Sequence, residues 1–199
     1  MRKTSFVVCL LAFSLLAQTK PEKDHTRYFP LTIGSEWEYV LEINGEEVAE
    51  PRNQIQEIKN GEYVDLELQK FLQDLTERRY IIKNYRVFYT GYGSRVSGGY
   101  KPFQKCPIIL TLPLKVGLEW EYETDKGTKI FKKVVRWHEK FTTKYGNFND
   151  VFEVFTQVNS EGINTYQFDY YAYGIGLILN EVSDDGRIQS KTLKSYTIK

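Results

Sequence analysis

The stretch that decides the fold is Phe29-Pro30-Leu31-Thr32-Ile33-Gly34-Ser35-Glu36-Trp37-Glu38-Tyr39, which returns as Leu112-Pro113-Leu114-Lys115-Val116-Gly117-Leu118-Glu119-Trp120-Glu121-Tyr122. The offset from position 29 to position 112 is 83 residues. The shared pattern is P-L-x-[IV]-G-x-E-W-E-Y, in which eight of ten positions are identical or nearly so. Such a repeat indicates an internal duplication, and it concerns architecture more than chemistry.

Each copy runs into a segment of strictly alternating residues. In the first copy, Trp37, Tyr39, Leu41 and Ile43 share one face, while Glu36, Glu38, Val40 and Glu42 share the other. In the second copy, Leu118, Trp120 and Tyr122 alternate with Glu119, Glu121 and Glu123. A period of two predicts β-strands with an aromatic face in the core and an acidic face in solvent.

Turn signals divide the rest of the chain into short segments. They include Asn44-Gly45, Asn60-Gly61, Lys83-Asn84, Lys126-Gly127, Glu161-Gly162 and Asp185-Gly186. This spacing predicts an all-β fold with a single antiparallel meander sheet. We expect the sheet to be strongly curved, as an open or partly closed barrel. Its duplicated halves span about 28–105 and 106–199, with Gly91–Gly99 as the loop between them.

Three segments carry more specific predictions. Leu68, Phe71, Leu72 and Leu75 have helical spacing, so one short helix is an alternative to strand there. Residues 128–139 are predicted to form a strand with Phe131, Val135 and Trp137 on one face. Residues 145–148 are predicted to form a turn, after which residues 151–158 form the next strand.

The N-terminus has the pattern of an export signal. Met1-Arg2-Lys3 is basic, Phe6–Leu16 is an apolar run, and Ala17 offers a small residue for cleavage. The run is shorter than the roughly 20 residues that a membrane-spanning helix needs. We therefore predict a signal peptide over 1–17, a flexible tether over 18–27 and a single β domain over 28–199.

Charge and cysteine content exclude several classes of protein. Removal of residues 1–17 would leave 25 basic and 26 acidic residues, so no charge excess favours nucleic acid or an anionic membrane. Cys9 lies in the middle of the apolar run, where lipid attachment is not expected. Cys106 then remains as a single thiol without an internal disulfide partner, which is more typical of packing than of catalysis.

The residue types that perform chemistry are sparse. His25 and His138 are the two histidines, and their spacing does not match a zinc site. Gly91-Tyr92-Gly93-Ser94-Arg95 falls one residue short of a nucleophile elbow. A hydrolase would need Ser94 or Cys106 near His138. We predict no catalytic, cofactor-binding or metal-binding residues and a protein that is not an enzyme.

Two sets of repeated residues have a functional and a structural interpretation. Glu36 with Glu38, and Glu119 with Glu121, resemble paired acid and base carboxylates, but alternation with aromatics favours a solvated strand face. Trp37, Trp120 and Trp137 are expected to pack in the core, with a ligand groove as the alternative.

Four motifs resemble those of a group of uncharacterised bacterial exported proteins and lipoproteins. They are the two copies of P-L-x-x-G-x-x-W-x-Y, then Gly146-Asn147-Phe148-Asn149-Asp150-Val151, which is similar to the group's turn, and Tyr171-Ala172-Tyr173-Gly174-Ile175-Gly176-Leu177, which is similar to its Y-A-x-G-[IV]-G-L signature. The resemblance spans Tyr28 to Ile198 and implies an envelope-associated β domain. It carries no established activity, and this chain lacks the group's lipid-attachment cysteine.

These observations lead to one functional hypothesis and an alternative. The first is a non-enzymatic exported protein, periplasmic or extracellular, that binds a lipid, another apolar ligand or an envelope protein, or assists assembly. The alternative is a structural or surface-adhesion module whose core is fully packed. Neither needs a cofactor, nucleic acid or integral membrane segment.

Overall fold

The structure is a computed structural model, and it describes residues 23–59, 61–69, 74–94, 99–160, 163–184 and 186–199. The predicted signal peptide, Asn60 and Asp185 therefore lie outside the described residues. The strands of the described ranges are β1 (Glu36–Ile43), β2 (Glu46–Ala49), β3 (Pro51–Lys59), β4 (Glu62–Gln69), β5 (Asp74–Lys83), β6 (Arg86–Ser94), β7 (Gly99–Pro102), β8 (Ile108–Thr111), β9 (Glu119–Glu123), β10 (Lys129–Thr143), β11 (Gly146–Ser160), β12 (Ile163–Ala172), β13 (Gly176–Asp184) and β14 (Arg187–Thr197).

All these strands belong to one antiparallel sheet. The order across it is β7-β6-β5-β4-β3-β1-β14-β13-β12-β11-β10-β9, with β2 paired to β1 and β8 paired to β6. No ladder within the described residues joins β9 to the β7–β8 end, so strand pairing leaves the sheet open. The predicted all-β meander is confirmed. None of the described helices is long and apolar enough to cross a membrane.

The two copies of the repeated stretch build the same turn. Gly34 and Gly117 have φ angles of +86° and +87°, and the residue after each glycine donates its N–H back across the turn, from Ser35 to Thr32 at 3.1 Å and from Leu118 to Lys115 at 3.0 Å. The N–H of each glycine then donates to a carbonyl of the neighbouring strand, that of Ile55 for Gly34 and that of Val134 for Gly117. A β-bulge follows both of these acceptors, at Ile55/Glu57 and at Val134/Arg136.

Buried side chains form two clusters. One contains Tyr28, Val87, Leu110, Trp120, Val134, Phe152, Val154 and Tyr171, among others. The second contains Trp37, Tyr39, Ile55, Phe148, Val151, Ala172, Ile178 and Leu193. Adjacent residues such as Val151 and Phe152 contribute to different clusters, so this part of the sheet buries both of its faces. Burial of both faces also explains why Val40, predicted on the solvated face, is buried.

The segment that enters the sheet is held by side-chain contacts. A 3-10 helix, His25–Tyr28, includes the last three residues of the predicted tether. Tyr28 is fully buried, and its hydroxyl donates to Asp150 at 2.8 Å. The Leu114 N–H donates to His25 Nδ1 at 3.1 Å, which links this helix to the second copy of the repeat.

Several local predictions are wrong. Leu68 and Leu75 lie in β4 and β5 and pair with each other, so the helical alternative does not hold for them, while residues 70–73 lie outside the described residues. Residues 91–94 belong to β6 instead of a loop. The turn predicted at residues 145–148 is tighter, because β11 already begins at Gly146.

Trp137 is the clearest packing error. It is 47% exposed, whereas Trp37 and Trp120 are each 6% exposed as predicted. The alternation predicted for residues 128–139 already fails before the bulge at Val134/Arg136, because Lys132 and Val134 are buried whereas Phe131 and Val135 are only partly buried. Among the described residues, β9 pairs with β10 only as far as Lys133. Trp137 lies beyond that point, where it pairs with Phe152 and its indole N–H donates to Asp150.

Replacing Gly117 by alanine is expected to lower the free energy of unfolding by about 1–2 kcal/mol, the cost of a left-handed conformation for a residue with Cβ. A Cβ at this position would meet no atom within 4 Å, so the cost is confined to the backbone. Urea denaturation measures the loss. Gly146→Ala is the control, because Gly146 lies outside the left-handed region, and we expect a change within about 0.5 kcal/mol.

Candidate functional site

A cleft opens where the first copy of the repeat faces the start of β13. Its volume is about 110 Å³. It is lined by Phe29, Pro30, Leu31, Trp37, Tyr39, Asn53, Ile55, Asp65, Arg78, Tyr80, Gly176, Leu177 and Lys191. These residues come from the segment before β1 and from β1, β3, β4, β5, β13 and β14. The cleft therefore has an aromatic and aliphatic wall and a charged floor.

Hydrogen bonds to β13 and its preceding turn fix the aromatic wall. The Trp37 indole N–H donates to the Ile175 carbonyl at 2.7 Å, and the Tyr39 hydroxyl donates to the Leu177 carbonyl at 3.0 Å. Both donors are thereby satisfied while the ring faces stay available for apolar contact. Gly176 matters for the wall because a Cβ there would lie 3.1 Å from Pro30.

The charged floor is a row of side chains that crosses three strands. Asp65 on β4 lies directly opposite Arg78 on β5, and Asn53 on β3 lies directly opposite Glu67 on β4. The Asn53 amide donates to both carboxylate oxygens of Asp65, at 3.2 and 3.1 Å. Lys191 reaches the row from β14, with its ammonium 4.5 Å from the centre of the Tyr39 ring.

The Glu67 carboxylate contacts two cations. Its Oε2 accepts from Arg78 Nη1 at 2.9 Å and from Lys191 Nζ at 2.7 Å. Its side chain is 4% exposed, against 28% for Arg78 and 18% for Lys191. The carboxylate therefore lies beneath the two cations, and Arg78 is the most exposed of the three charged groups.

The four charged groups do not respond to burial in the same way. Burial raises the pKa of Asp65, and the nearby charges of Arg78 and Lys191 offset this only in part. Burial would also raise the pKa of Glu67, but Lys191 and Arg78 outweigh it and hold that pKa well below its usual value. Burial lowers the pKa of Lys191 despite its contact with Glu67. Arg78 remains charged, since the neighbouring Tyr80 and carboxylates raise its pKa.

The second half of the sheet holds another buried polar cluster. Lys132 and Asp169 are about 5% and 4% exposed, with Lys132 Nζ 3.6 Å from Asp169 Oδ2. Asp169 also accepts from Gln167 at 2.8 Å and from Asn180 at 2.7 Å. Nearby Tyr122 has its pKa raised to about 12 by burial and by Asp169. Both halves therefore bury charged side chains.

The residues considered for hydrolase chemistry are not brought together. His138 Nε2 lies 2.9 Å from Glu153 Oε2, and its ring contacts Phe141 and Tyr170. Within the described residues, neither Ser94 nor Cys106 is among the contacts of His138. Burial raises the pKa of the Cys106 thiol, which disfavours the reactive thiolate. In the same part of the chain, no three His, Cys, Asp or Glu side chains are placed to hold a metal ion.

The paired glutamates form ordinary surface contacts. Glu36 accepts from Arg52 and Gln54, Glu38 accepts from Ser195 at 2.8 Å, and Glu119 pairs with Lys133 at 2.7 Å. Glu121 is exposed on β9. The interpretation of these residues as a solvated strand face agrees with this geometry.

The charged floor was missed from the sequence. Residues 63–68 alternate, and the usual pattern would place Val64, Leu66 and Leu68 in the core and Asp65 and Glu67 in solvent. The structure instead leaves Asp65 8% and Glu67 3% exposed, with Leu68 42% exposed. The available signal was Arg78, a cation in the following segment of the sequence that is able to partner an inward carboxylate.

Comparison with known proteins shows the fold. A scan against protein-family models finds no match, and neither does a search of curated proteins. A crystal structure of a candidate lipoprotein from Parabacteroides distasonis is similar, with a TM-score of 0.50 and 14% identity over 88% of this chain and 100% of that chain. A candidate exported protein with a YmcC-like fold from Bacteroides fragilis has a TM-score of 0.44 and 11% identity, covering 85% of this chain and 98% of that chain.

Proposed function

We propose that this chain is a non-enzymatic exported binding protein that holds one end of a lipid or another amphipathic ligand in the cleft. The observation that carries the proposal is the charged floor beneath an aromatic wall. Burial of ionic groups costs several kcal/mol for each ion, and well-packed apolar residues would serve stability as well or better. Buried charges that line an accessible cleft are therefore a reasoned indication of a binding site.

The size of the cleft limits what it holds. Sites for drug-sized ligands have volumes of about 300–1,000 Å³, and this cleft has about 110 Å³. It accommodates the end of a longer molecule, whose remainder would lie outside the cleft. Phe29, Pro30 and Leu31 give the lining apolar groups that suit an apolar stem.

The same proposal includes export to the periplasm or the extracellular space, without a lipid anchor at Cys9. Export is supported by the signal pattern of residues 1–17 and by the description of the Parabacteroides protein as a lipoprotein. The absence of an anchor is supported by the position of Cys9 in the middle of the apolar run. We also attribute the sheet to an internal duplication. The matching turns at Gly34 and Gly117 support this, as do the further bulges at Arg79/Tyr80 and Tyr170/Tyr171.

A non-enzymatic role is supported by the contacts of His138, whose Nε2 lies 2.9 Å from Glu153. A second candidate, the packed structural or adhesion module, is favoured by the second copy of the repeat. There the Trp120 indole N–H donates to the Ile108 carbonyl, and the side chain is buried. The two candidates differ in whether the cleft of the first half is occupied.

Filling the cleft with a larger side chain is expected to remove a co-purifying ligand. Leu31→Trp places an indole at the lining, whereas Ile33→Trp, the control, changes a side chain that is 50% exposed two residues away. Mature protein recovered from its native envelope is extracted with organic solvent, and the extract is quantified by mass spectrometry. We expect wild type and Ile33→Trp to yield the same amphipathic molecule and Leu31→Trp to yield about tenfold less. An empty wild-type extract would favour the packed module, and equal amounts from both variants would show that the ligand does not occupy this cleft.

A further inference from the structure

We infer that the cleft recognises a small carboxylate on an apolar stem, with Arg78 as the group that binds the carboxylate. This inference rests on the proposed function, since it names the class of ligand for the same cleft. It starts from the distribution of charge over the floor. Two cations, Arg78 and Lys191, share one carboxylate, Glu67, through the same oxygen atom.

The second carboxylate of the floor is engaged within the protein. Asp65 accepts two hydrogen bonds from the Asn53 amide and lies directly opposite Arg78 in the ladder. Asp65 is 8% exposed as a residue, whereas the Arg78 side chain is 28% exposed. Arg78 is therefore the charged group of the floor that is most open to a ligand.

Arg78 has the donors to bind a carboxylate. A guanidinium carries five N–H donors in a planar fork, and it forms paired hydrogen bonds with a carboxylate. Some of these donors are already used, because Arg78 donates to Glu67 through Nη1 and also forms a hydrogen bond with Tyr89. Its side chain is 28% exposed and lines the cleft. Lys191 is more fully engaged, because Glu67, Asn53 and the Tyr39 ring surround its ammonium.

The wall determines what the carboxylate is attached to. Trp37, Tyr80 and Leu177 line the cleft beside Arg78. The indole N–H of Trp37 already has a protein acceptor. The wall therefore presents ring faces and aliphatic carbon to the part of the ligand next to the carboxylate. A chain or ring of carbon atoms adjoining the carboxylate matches this surface, whereas a polyhydroxylated stem would lose hydrogen bonds to water there.

Three probes with the same stem test the head group. Hexanoate, hexanol and hexylamine are titrated into the full mature protein labelled with nitrogen-15, and the three indole N–H signals are followed by NMR. Trp37 reports on the cleft, while Trp120 and Trp137 lie outside its lining and serve as internal references. We expect hexanoate to shift the Trp37 signal in a saturable manner, hexanol to bind about tenfold more weakly and hexylamine not to bind.

The variant Arg78→Gln adds a second, independent measurement. It is expected to weaken hexanoate binding by about tenfold or more and to leave hexanol binding unchanged. Arg52→Gln is the matched control, because Arg52 is an exposed arginine in the same half whose partner is Glu36. The series of probes on the wild type decides the question even if Arg78→Gln does not fold.

The outcomes separate the inference from the function on which it rests. Hexanol or hexylamine binding as tightly as hexanoate would overturn the carboxylate assignment and leave the cleft as a binding site. Failure of all three probes to move the Trp37 signal would overturn the assignment and count against the proposed function as well.

Discussion

Replacing Trp120 by alanine is expected to lower the free energy of unfolding by about 3–5 kcal/mol, the range found for large aromatic side chains removed from cores. Trp120 is 6% exposed and lies in one cluster with Tyr28, Leu110 and Tyr171. Its removal leaves a void and also leaves the Ile108 carbonyl without the indole donor. Urea denaturation followed by circular dichroism measures the loss.

The control for this prediction is Trp137→Ala. Trp137 is 47% exposed, and its alanine variant is expected to lose about 1 kcal/mol or less. Trp37 lies at the equivalent position of the first copy, so Trp37→Ala is expected to resemble Trp120→Ala. Equal losses from Trp120→Ala and Trp137→Ala would contradict the assignment of Trp120 to the core.

Replacing Glu67 by glutamine is expected to cost about 3 kcal/mol at neutral pH, because removing one partner of a buried ion pair leaves uncompensated charge. Here a single carboxylate accepts hydrogen bonds from both Arg78 and Lys191, at 2.9 and 2.7 Å. The control, Glu119→Gln, removes an exposed partner of Lys133 and is expected to cost less than about 1 kcal/mol.

The same variant is expected to change the pH dependence of stability. The pKa of Glu67 is lower in the folded protein than its ordinary value of 4.5. Its contribution is therefore present above that ordinary value and is lost as the pH falls towards the folded-state pKa. Denaturation at about pH 7 and about pH 3 should show a smaller acid loss in Glu67→Gln than in wild type. Equal acid losses would show that folding does not lower the pKa of Glu67.

The architecture was largely predictable because turn chemistry and alternation are local. Asn44-Gly45 forms a turn with φ angles of 51° and 85°, between β1 and β2 as predicted. Gly34 and Gly117 adopt the left-handed conformation that glycine permits without strain. The burial of Trp37, Tyr39 and Trp120 likewise follows from period-two alternation.

The candidate site was not predictable because its charged residues do not follow the alternation of apolar and polar residues from which the strands were predicted. Alternation assigns charged residues to solvent, and Asp65 and Glu67 are inward because cations from β5 and β14 neutralise them. Lys191 lies 124 residues after Glu67, so no local pattern connects the two. The prediction for Trp137 failed for a different reason, because β9 pairs with β10 only as far as Lys133 in the described residues and the indole beyond that point is left exposed.

The pairing of β1 with β14 sets an order of events during synthesis. β1 lies inside the sheet, with β3 on one side and β14 on the other. A growing chain must therefore carry β1 as an unpaired edge until residues 187–197 have left the ribosome, and such edges are prone to associate with other chains. Lys191 belongs to β14, so the cleft acquires its second cation only after this last described strand has been synthesised.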